Sequence, residues 1–312
     1  MCGIFGIINY SKEKLTTWKI EELQEMINNL FDESEMRGKD ASGICILSES
    51  LITSTEGQYL ADRSASLINE ISIFKDHIKG SNFKNYKQFE NIVGHINTIE
   101  KFKSLLGHTR AQTKGNSRFN INNHPIIANK TIGIHNGIIG NDDLLFAKYK
   151  SKIVREGQVD SEIIFRLIDM YIANGKDIEN AVKETTNQIL GSYACAFINL
   201  DWPNYLTLFK GSTFPNIVIY VYELDKLIVF ASSSIILSNA IKGLDILDEG
   251  SVSEKLELED RKGVRINISD GKMYVFNTKE KEMSVNSGIN SGPCIECQFR
   301  NCYECPHFSI DE

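Results

Sequence analysis

After Met1 and Cys2 the chain runs Gly3-Ile4-Phe5-Gly6-Ile7-Ile8-Asn9, a short apolar stretch without charge that predicts a buried strand. From residue 17 to about 35 the period changes: Ile20, Leu23, Ile27 and Leu30 recur at helical spacing. Thr17 is placed to cap this helix, and its apolar face is expected to pack on the strand. Arg37-Gly38-Lys39-Asp40-Ala41-Ser42-Gly43 is a turn entering a strand over 44–47, and a second strand is predicted near 51–55. Residues 62–103 are rich in Asn, Lys and Ser, have only a patchy helical period, and read as a surface insertion. Order returns with a strand over 105–112, another over 132–135 and a short helix over 141–149. Amphipathic helices then cover 161–173 and 177–189, divided by Asn174-Gly175, a helix-stop pair.

The remaining pattern is β-branched and aromatic. Strands are predicted over 193–200, 205–210, 217–223 and 227–231, separated by polar, Gly and Pro turns, with two more over 264–268 and 272–276 joined by Ser-Asp-Gly. Strands, paired helices and again strands give an α+β class in which helices cover antiparallel sheets. The strands of 244–282 are expected to complete that sandwich or its edge.

Composition adds limits. With 312 residues, 42% hydrophobic and 24% charged, the chain can bury a large core. A formal charge of −7 offers no global attraction to nucleic acid or anionic membrane. No apolar run approaches the length of a membrane span and the N-terminus lacks the basic region of a signal peptide, so a cytoplasmic location is expected. Seven cysteines in that compartment argue against a disulfide framework: Cys2, Cys45 and Cys195 are scattered, and four lie close together near the end.

Chemistry enters at Cys2. Removal of Met1 would put a thiol and a free α-amine on one residue, and near neutral pH an amine titrating around ~8 can take the proton of a thiol titrating near ~8.5. A nucleophile and its base are then built in together, as in N-terminal-nucleophile enzymes. Taken alone, Cys2 is equally a small apolar residue at the start of a strand.

The opening Cys2-Gly3-Ile4-Phe5-Gly6 is followed in order by Arg37-Gly38-Lys39-Asp40, Gly107-His108-Thr109-Arg110, Asn123-His124-Pro125, His135-Asn136-Gly137-Ile138-Ile139 and Val159-Asp160-Ser161-Glu162. Six blocks in this order resemble the glutaminase domain of class II glutamine amidotransferases, most strongly over 2–240. The resemblance implies a four-layer αββα sandwich of N-terminal-nucleophile hydrolase type. It implies that Cys2 attacks the side-chain amide of L-glutamine to form a thioester and release ammonia. Asn136 and the Gly137 N–H would hold the oxyanion. Arg110 would pair with the substrate α-carboxylate, Asp160 with its α-ammonium, and Thr113 would assist binding. No cofactor is implied for this hydrolysis. His108, His124 and His135 are assigned no proton transfer, since the α-amine can serve as base. Cys45 and Cys195, in apolar strands, are expected to be inert.

Two departures stand out: Ala111 replaces a large aromatic found in many members, which opens the pocket wall, and Lys114 stands where several have His. The domain division expected is 2–285 for the glutaminase-like part, 286–293 as a Gly-Ser-Asn linker and 294–312 as a cysteine-rich tail. Cys294, Cys297, Cys302 and Cys305 form two C-x-x-C units that suit a structural zinc or an iron–sulfur cluster. His307 could replace one of them, and disulfides or free thiols are the alternative. The residues after 239 are too few for an acceptor-activating domain, so a separate partner protein is expected to receive the ammonia, with nucleic acid disfavoured as a partner. Two other classes compete: an N-terminal-nucleophile hydrolase of another amide, which Arg110 and Asp160 disfavour, and a non-catalytic protein docking through its tail, which an intact Cys2, Asn136 and Gly137 disfavour.

Overall fold

A computed structural model describes residues 1–51, 67–94, 96 and 101–279. The apolar opening run is strand β1 (Gly3–Asn9), buried along its whole length. It lies inside a seven-stranded sheet. On one side it pairs antiparallel with β4 (Lys101–Arg110), Gly3 opposite Thr109, and on the other with β10 (Leu227–Ala231), Phe5 opposite Ala231. β2 (Ala41–Leu51) and β3 (Leu67–Asp76) extend the sheet beyond β4; β9 (Val218–Tyr222) and β11 (Glu254–Glu257) extend it beyond β10. The second sheet orders six strands as β13 (Met273–Asn277), β12 (Lys262–Asn267), β8 (Tyr205–Lys210), β7 (Gly191–Asn199), β6 (Thr131–Ile139) and β5 (Ile126–Ala128).

β1 shows why its sequence has no apolar–polar alternation. Successive side chains point to opposite faces of a strand, and here both faces are covered. Ile4 and Ile8 join Ile132, Ile134, Ala194 and Leu206 of the second sheet, so this cluster lies between the sheets. Phe5 and Ile7 join Leu23, Ile27 and Leu30 of helix α1 (Thr17–Glu35) and Ile236 and Leu237 of helix α7 (Ser234–Ala240). On the far side, Ile163, Phe165 and Ile168 of α5 (Glu162–Ala173) and Val182 of α6 (Ile178–Gln188) pack with Cys195, Phe197 and Phe209 of the second sheet. Helix, sheet, sheet, helix is the expected four-layer order. Each such Phe or Ile contributes roughly 1.5–3 kcal/mol by leaving water.

Three expectations are corrected. The cap of α1 is Thr16, whose side chain accepts from the Lys19 N–H, not Thr17. The first strand after the Arg37 turn is longer than the expected 44–47 and runs from Ala41 to Leu51; the second strand expected near 51–55 falls, beyond Leu51, on residues outside the described set. Most of the stretch read as a surface insertion is built into the fold. β3 pairs along β2, and α2 (Gly80–Phe83) and α3 (Lys87–Gly94) bring Phe83, Phe89 and Val93 into the cluster under α1. Phe31 of α1 makes T-shaped contacts with Phe89 of this segment at 5.4 Å and with Phe5 of β1 at 4.8 Å, joining the three elements. Strands β12 and β13 fall where expected, at the edge of the second sheet, while β11, which was not predicted, forms the edge of the first. The proposed linker 286–293 and the cysteine-rich tail, with Cys294, Cys297, Cys302 and Cys305, lie outside the described residues.

Candidate active site

Cys2 stands at the N-terminal end of β1, so its place is set by the strand behind it. Its Sγ donates to the carbonyl of Ala111 at 3.6 Å, and its own carbonyl accepts from Arg37 Nε at 3.1 Å. The Arg37 guanidinium lies 6.0 Å from the Phe214 ring centre, which brings the turn before β9 to this end of the molecule. Gly38 permits the arrangement: a Cβ there would come within 2.3 Å of the Arg110 carbonyl carbon. Asp40 closes the turn, its N–H donating to the Arg110 carbonyl at 2.9 Å and its Oδ2 accepting from the Gln112 N–H at 2.7 Å. Burial pushes the Cys2 thiol up, against the opposing pull of the Ala111 backbone, the N-terminal amine and Arg110; Asp160 adds to the rise. A half-buried thiol of raised pKa needs a base to become a thiolate. Met1 is 60% exposed.

Across the sandwich, β6 presents Asn136 and Gly137. Asn136 is fully buried, and neither Nδ2 nor Oδ1 has a partner among the described residues, an arrangement a buried amide does not tolerate without cause. Gly137 has φ +141°, and a Cβ on it would meet the Ser192 carbonyl oxygen at 2.0 Å, so the position demands glycine. Asp160 precedes α5 but is not its cap: Ser161 holds that place, and Asp160 Oδ2 accepts from the Ile139 N–H at 2.7 Å, tying it to the end of β6. Arg110, at the end of β4, is buried, and part of its fork is already engaged. Nη1 donates to Asn123 Oδ1 at 2.9 Å, and Nη2 to the carbonyls of Lys114 and Gly115, both at 2.7 Å. Arg110 therefore shapes the turn that carries Thr113, which is exposed. Cys2, Arg110 and Asp160 are near enough to influence one another electrostatically.

Behind these groups lie three buried histidines. His108 and His124 stack at 4.0 Å, His108 Nε2 lies 3.1 Å from the His135 carbonyl, and His135 Nδ1 lies 2.8 Å from Ser161 Oγ. A carbonyl only accepts, so His108 carries its proton on Nε2. Burial lowers all three: His108 falls to about 3, and His124 to well below its ordinary value. They are neutral at physiological pH and fix the loops around the site. Cys45 and Cys195 are buried, and burial raises both thiols, as expected of inert residues. Among the described residues there is no group of three or more His, Cys, Asp or Glu placed to hold a metal. No described helix is long and apolar enough to cross a membrane. Sequence reasoning missed Arg37 as a contact of Cys2, and it missed the ion pairs of Lys114; both depend on contacts distant in sequence.

An α-helix, two antiparallel sheets and a second helical layer, with a cysteine at the start of an inner strand, define the fold of N-terminal-nucleophile amidotransferases. Over 90% of the chain and 50% of the other, it superposes on the allosteric regulatory enzyme of purine biosynthesis with a TM-score of 0.59 and 16% identity. The same coverage and identity, with a TM-score of 0.57, relate it to glutamine phosphoribosylpyrophosphate amidotransferase from B. subtilis complexed with ADP and GMP. In sequence it is related to glutamine–fructose-6-phosphate aminotransferase (isomerizing) of Helicobacter pylori strain J99, at 27% identity over 90% of this chain and 40% of that protein. The Bacillus licheniformis enzyme of the same name is 23% identical over 100% of this chain and 42% of that protein. The chain thus spans less than half the length of these curated relatives, and no protein-family model matches it. Its fold is that of the class II glutamine amidotransferases, and its sequence is related to theirs.

Proposed function

We propose that this chain hydrolyses L-glutamine to glutamate and ammonia through a Cys2 thioester and passes the ammonia to an acceptor bound by a separate partner protein. The observation that carries this reading is the buried amide of Asn136, unpartnered among the described residues, next to Gly137, in a fold whose inner strand follows directly on Cys2. With Met1 removed, the α-amine of Cys2 takes the thiol proton, and Sγ attacks the side-chain carbonyl carbon of glutamine. The oxygen that gains charge is held by Asn136 Nδ2 and the Gly137 N–H, donors with no competing role for Asn136 in the resting protein. The C–N bond breaks, the leaving nitrogen takes the proton from the α-amine, and ammonia departs. Water then attacks the thioester, yielding glutamate and the thiol. Arg110 and Asp160 read the α-carboxylate and α-ammonium, which orients the amide toward Sγ. Thr113 lies on the same turn.

Ammonia diffuses away unless its acceptor is close, and a docked partner would keep the acceptor at hand. The four C-terminal cysteines are proposed to bind one zinc or iron–sulfur centre that folds the tail for docking. The test begins with intact mass and glutamate release. Met1 should be absent, a diazo-ketone analogue of glutamine should add once at Cys2, and Cys2→Ala should fold and lose both labelling and glutamate formation. Labelling at Cys45 or Cys195 instead would remove the basis of the mechanism.

A further inference from the structure

Lys114, one of the two departures from the related family pattern, sits on the turn between Arg110 and Asn123. Its Nζ lies 2.9 and 2.7 Å from the two carboxylate oxygens of Asp142 and 2.9 Å from Oδ2 of Asp143. Those two aspartates open helix α4 (Asp142–Lys148), directly after the strand that carries Asn136 and Gly137. From a third direction comes Arg155, whose Nη1 reaches Asp143 at 2.5 Å and whose Nη2 reaches Asp142 at 3.0 Å. Arg155 also donates to the carbonyls of Gly157 and Gln158, bracing the segment that ends at Asp160.

We propose that Lys114 is a positioning residue for glutamine: through Asp142 it fastens the turn bearing Thr113 to the end of β6 and to the segment leading to Asp160. This inference rests on the glutaminase reading above. Most surface ion pairs contribute little, but the Asp142 side chain is only 3% exposed and receives both cations. The network has two positive and two negative groups, so its charges cancel locally. It also joins the two segments that supply the candidate head-group contacts to the end of the strand that supplies the candidate oxyanion contacts. Partial burial tends to lower the Lys114 ammonium, but its hydrogen bonds to Asp142 and Asp143 outweigh that and raise it, so the link persists through the neutral range. Without Lys114, Asp142 keeps Arg155, which leaves the carboxylate compensated and the fold in place. What is lost is the outer fastening of the turn, while Arg110 continues to hold the carbonyls of Lys114 and Gly115 from within.

The experiment uses the whole chain as parent, Lys114→Met and Lys114→Arg, with two alkylating probes. A diazo-ketone analogue of glutamine must be held by its amino-acid head before it reaches Cys2; iodoacetamide needs only the thiol. In Lys114→Met, the second-order alkylation rate by the analogue should fall about tenfold and the glutamine KM should rise by a similar factor, with kcat within about twofold. The iodoacetamide rate should not change, and Lys114→Arg should recover most of the loss. Equal analogue rates in parent and Lys114→Met would overturn the inference while leaving the glutaminase reading intact. An equal fall with both probes would overturn it too, because Cys2 itself would have moved. If parent Cys2 takes iodoacetamide but never the analogue, the glutamine reading itself fails and takes this inference with it.

Discussion

The buried histidines make a quantitative demand on acid stability. His108 titrates near 6.5 when unfolded and near about 3 in the fold, because burial disfavours its charged form. The sign follows from proton uptake: as pH falls below 6.5 the unfolded chain binds a proton that the folded chain refuses, so acid favours unfolding. Each pH unit below the unfolded value costs about 1.4 kcal/mol until the folded value is reached, so lowering the pH from about 7 to about 5 removes about 2 kcal/mol through His108 alone. Asp143, Asp248 and Asp260 have depressed carboxyls and lose their contributions only lower down, which keeps this window nearly clear of them. The perturbation that isolates the effect is His108→Gln, whose amide can still donate to the His135 carbonyl but does not titrate. Urea unfolding of parent and variant near pH 7 and pH 5 gives four free energies. The parent should lose about 2 kcal/mol more than the variant on acidification. If both lose the same amount, His108 is either charged in the fold or exposed to water, and the account of the stacked histidines is wrong.

Arg110→Lys keeps the charge but gives up the planar fork that holds Asn123 and the carbonyls of Lys114 and Gly115, so the glutamine KM should rise at least about tenfold, a loss near ~1.4 kcal/mol. Steady-state glutamate release tests this, and a KM unchanged in both Arg110→Lys and Asp160→Asn would remove both from the pocket. Elemental analysis of the whole chain should give about one zinc, or a brown chromophore from iron and sulfide, and Cys297→Ser together with Cys302→Ser should abolish it. Basal glutamine hydrolysis should survive that change, while capture of a partner should weaken; loss of hydrolysis with the fold intact would place the tail in the active site.

The doubly covered strand at the start was legible because burial on both faces leaves a continuous apolar run, and residues 227–231 were legible for the same reason. The segment before β4 was not. Its helices have four and eight residues, too short for a period to register, and its contribution to the core comes from Phe83 and Phe89 set among lysines and asparagines. Strand β11 reads Glu-Lys-Leu-Glu and is held by its pairing with β9 rather than by an apolar face, so no pattern announces it. Helix α7 was not predicted; at seven residues, Ser234–Ala240 behind a Ser233 cap, it is too short for a period to register. At the site, the positions of Cys2, Asn136, Gly137, Arg110 and Asp160 could be proposed from ordered motifs. The engagement of Arg110 with its own turn and the pairing of Lys114 with Asp142 could not, since neither spacing nor composition records which charges a fold brings together.

The placement of β1 also governs when the thiol can become an instrument. Its neighbour β10 lies more than two hundred residues further along, with Phe5 opposite Ala231 and the Ser232 N–H donating to the Ile4 carbonyl at 2.9 Å. Closing so long a loop is slow, and the contact order of the strand that presents Cys2 is correspondingly high. On the ribosome, Cys2 emerges early; β4 can pair with one side of β1 well before the chain is finished, but the other side stays open until β10 has been made and has left the tunnel. The chemistry proposed for Cys2 therefore waits on the late strand, and a fragment cut anywhere before residue 227 would carry this cysteine on a strand with one side unpaired.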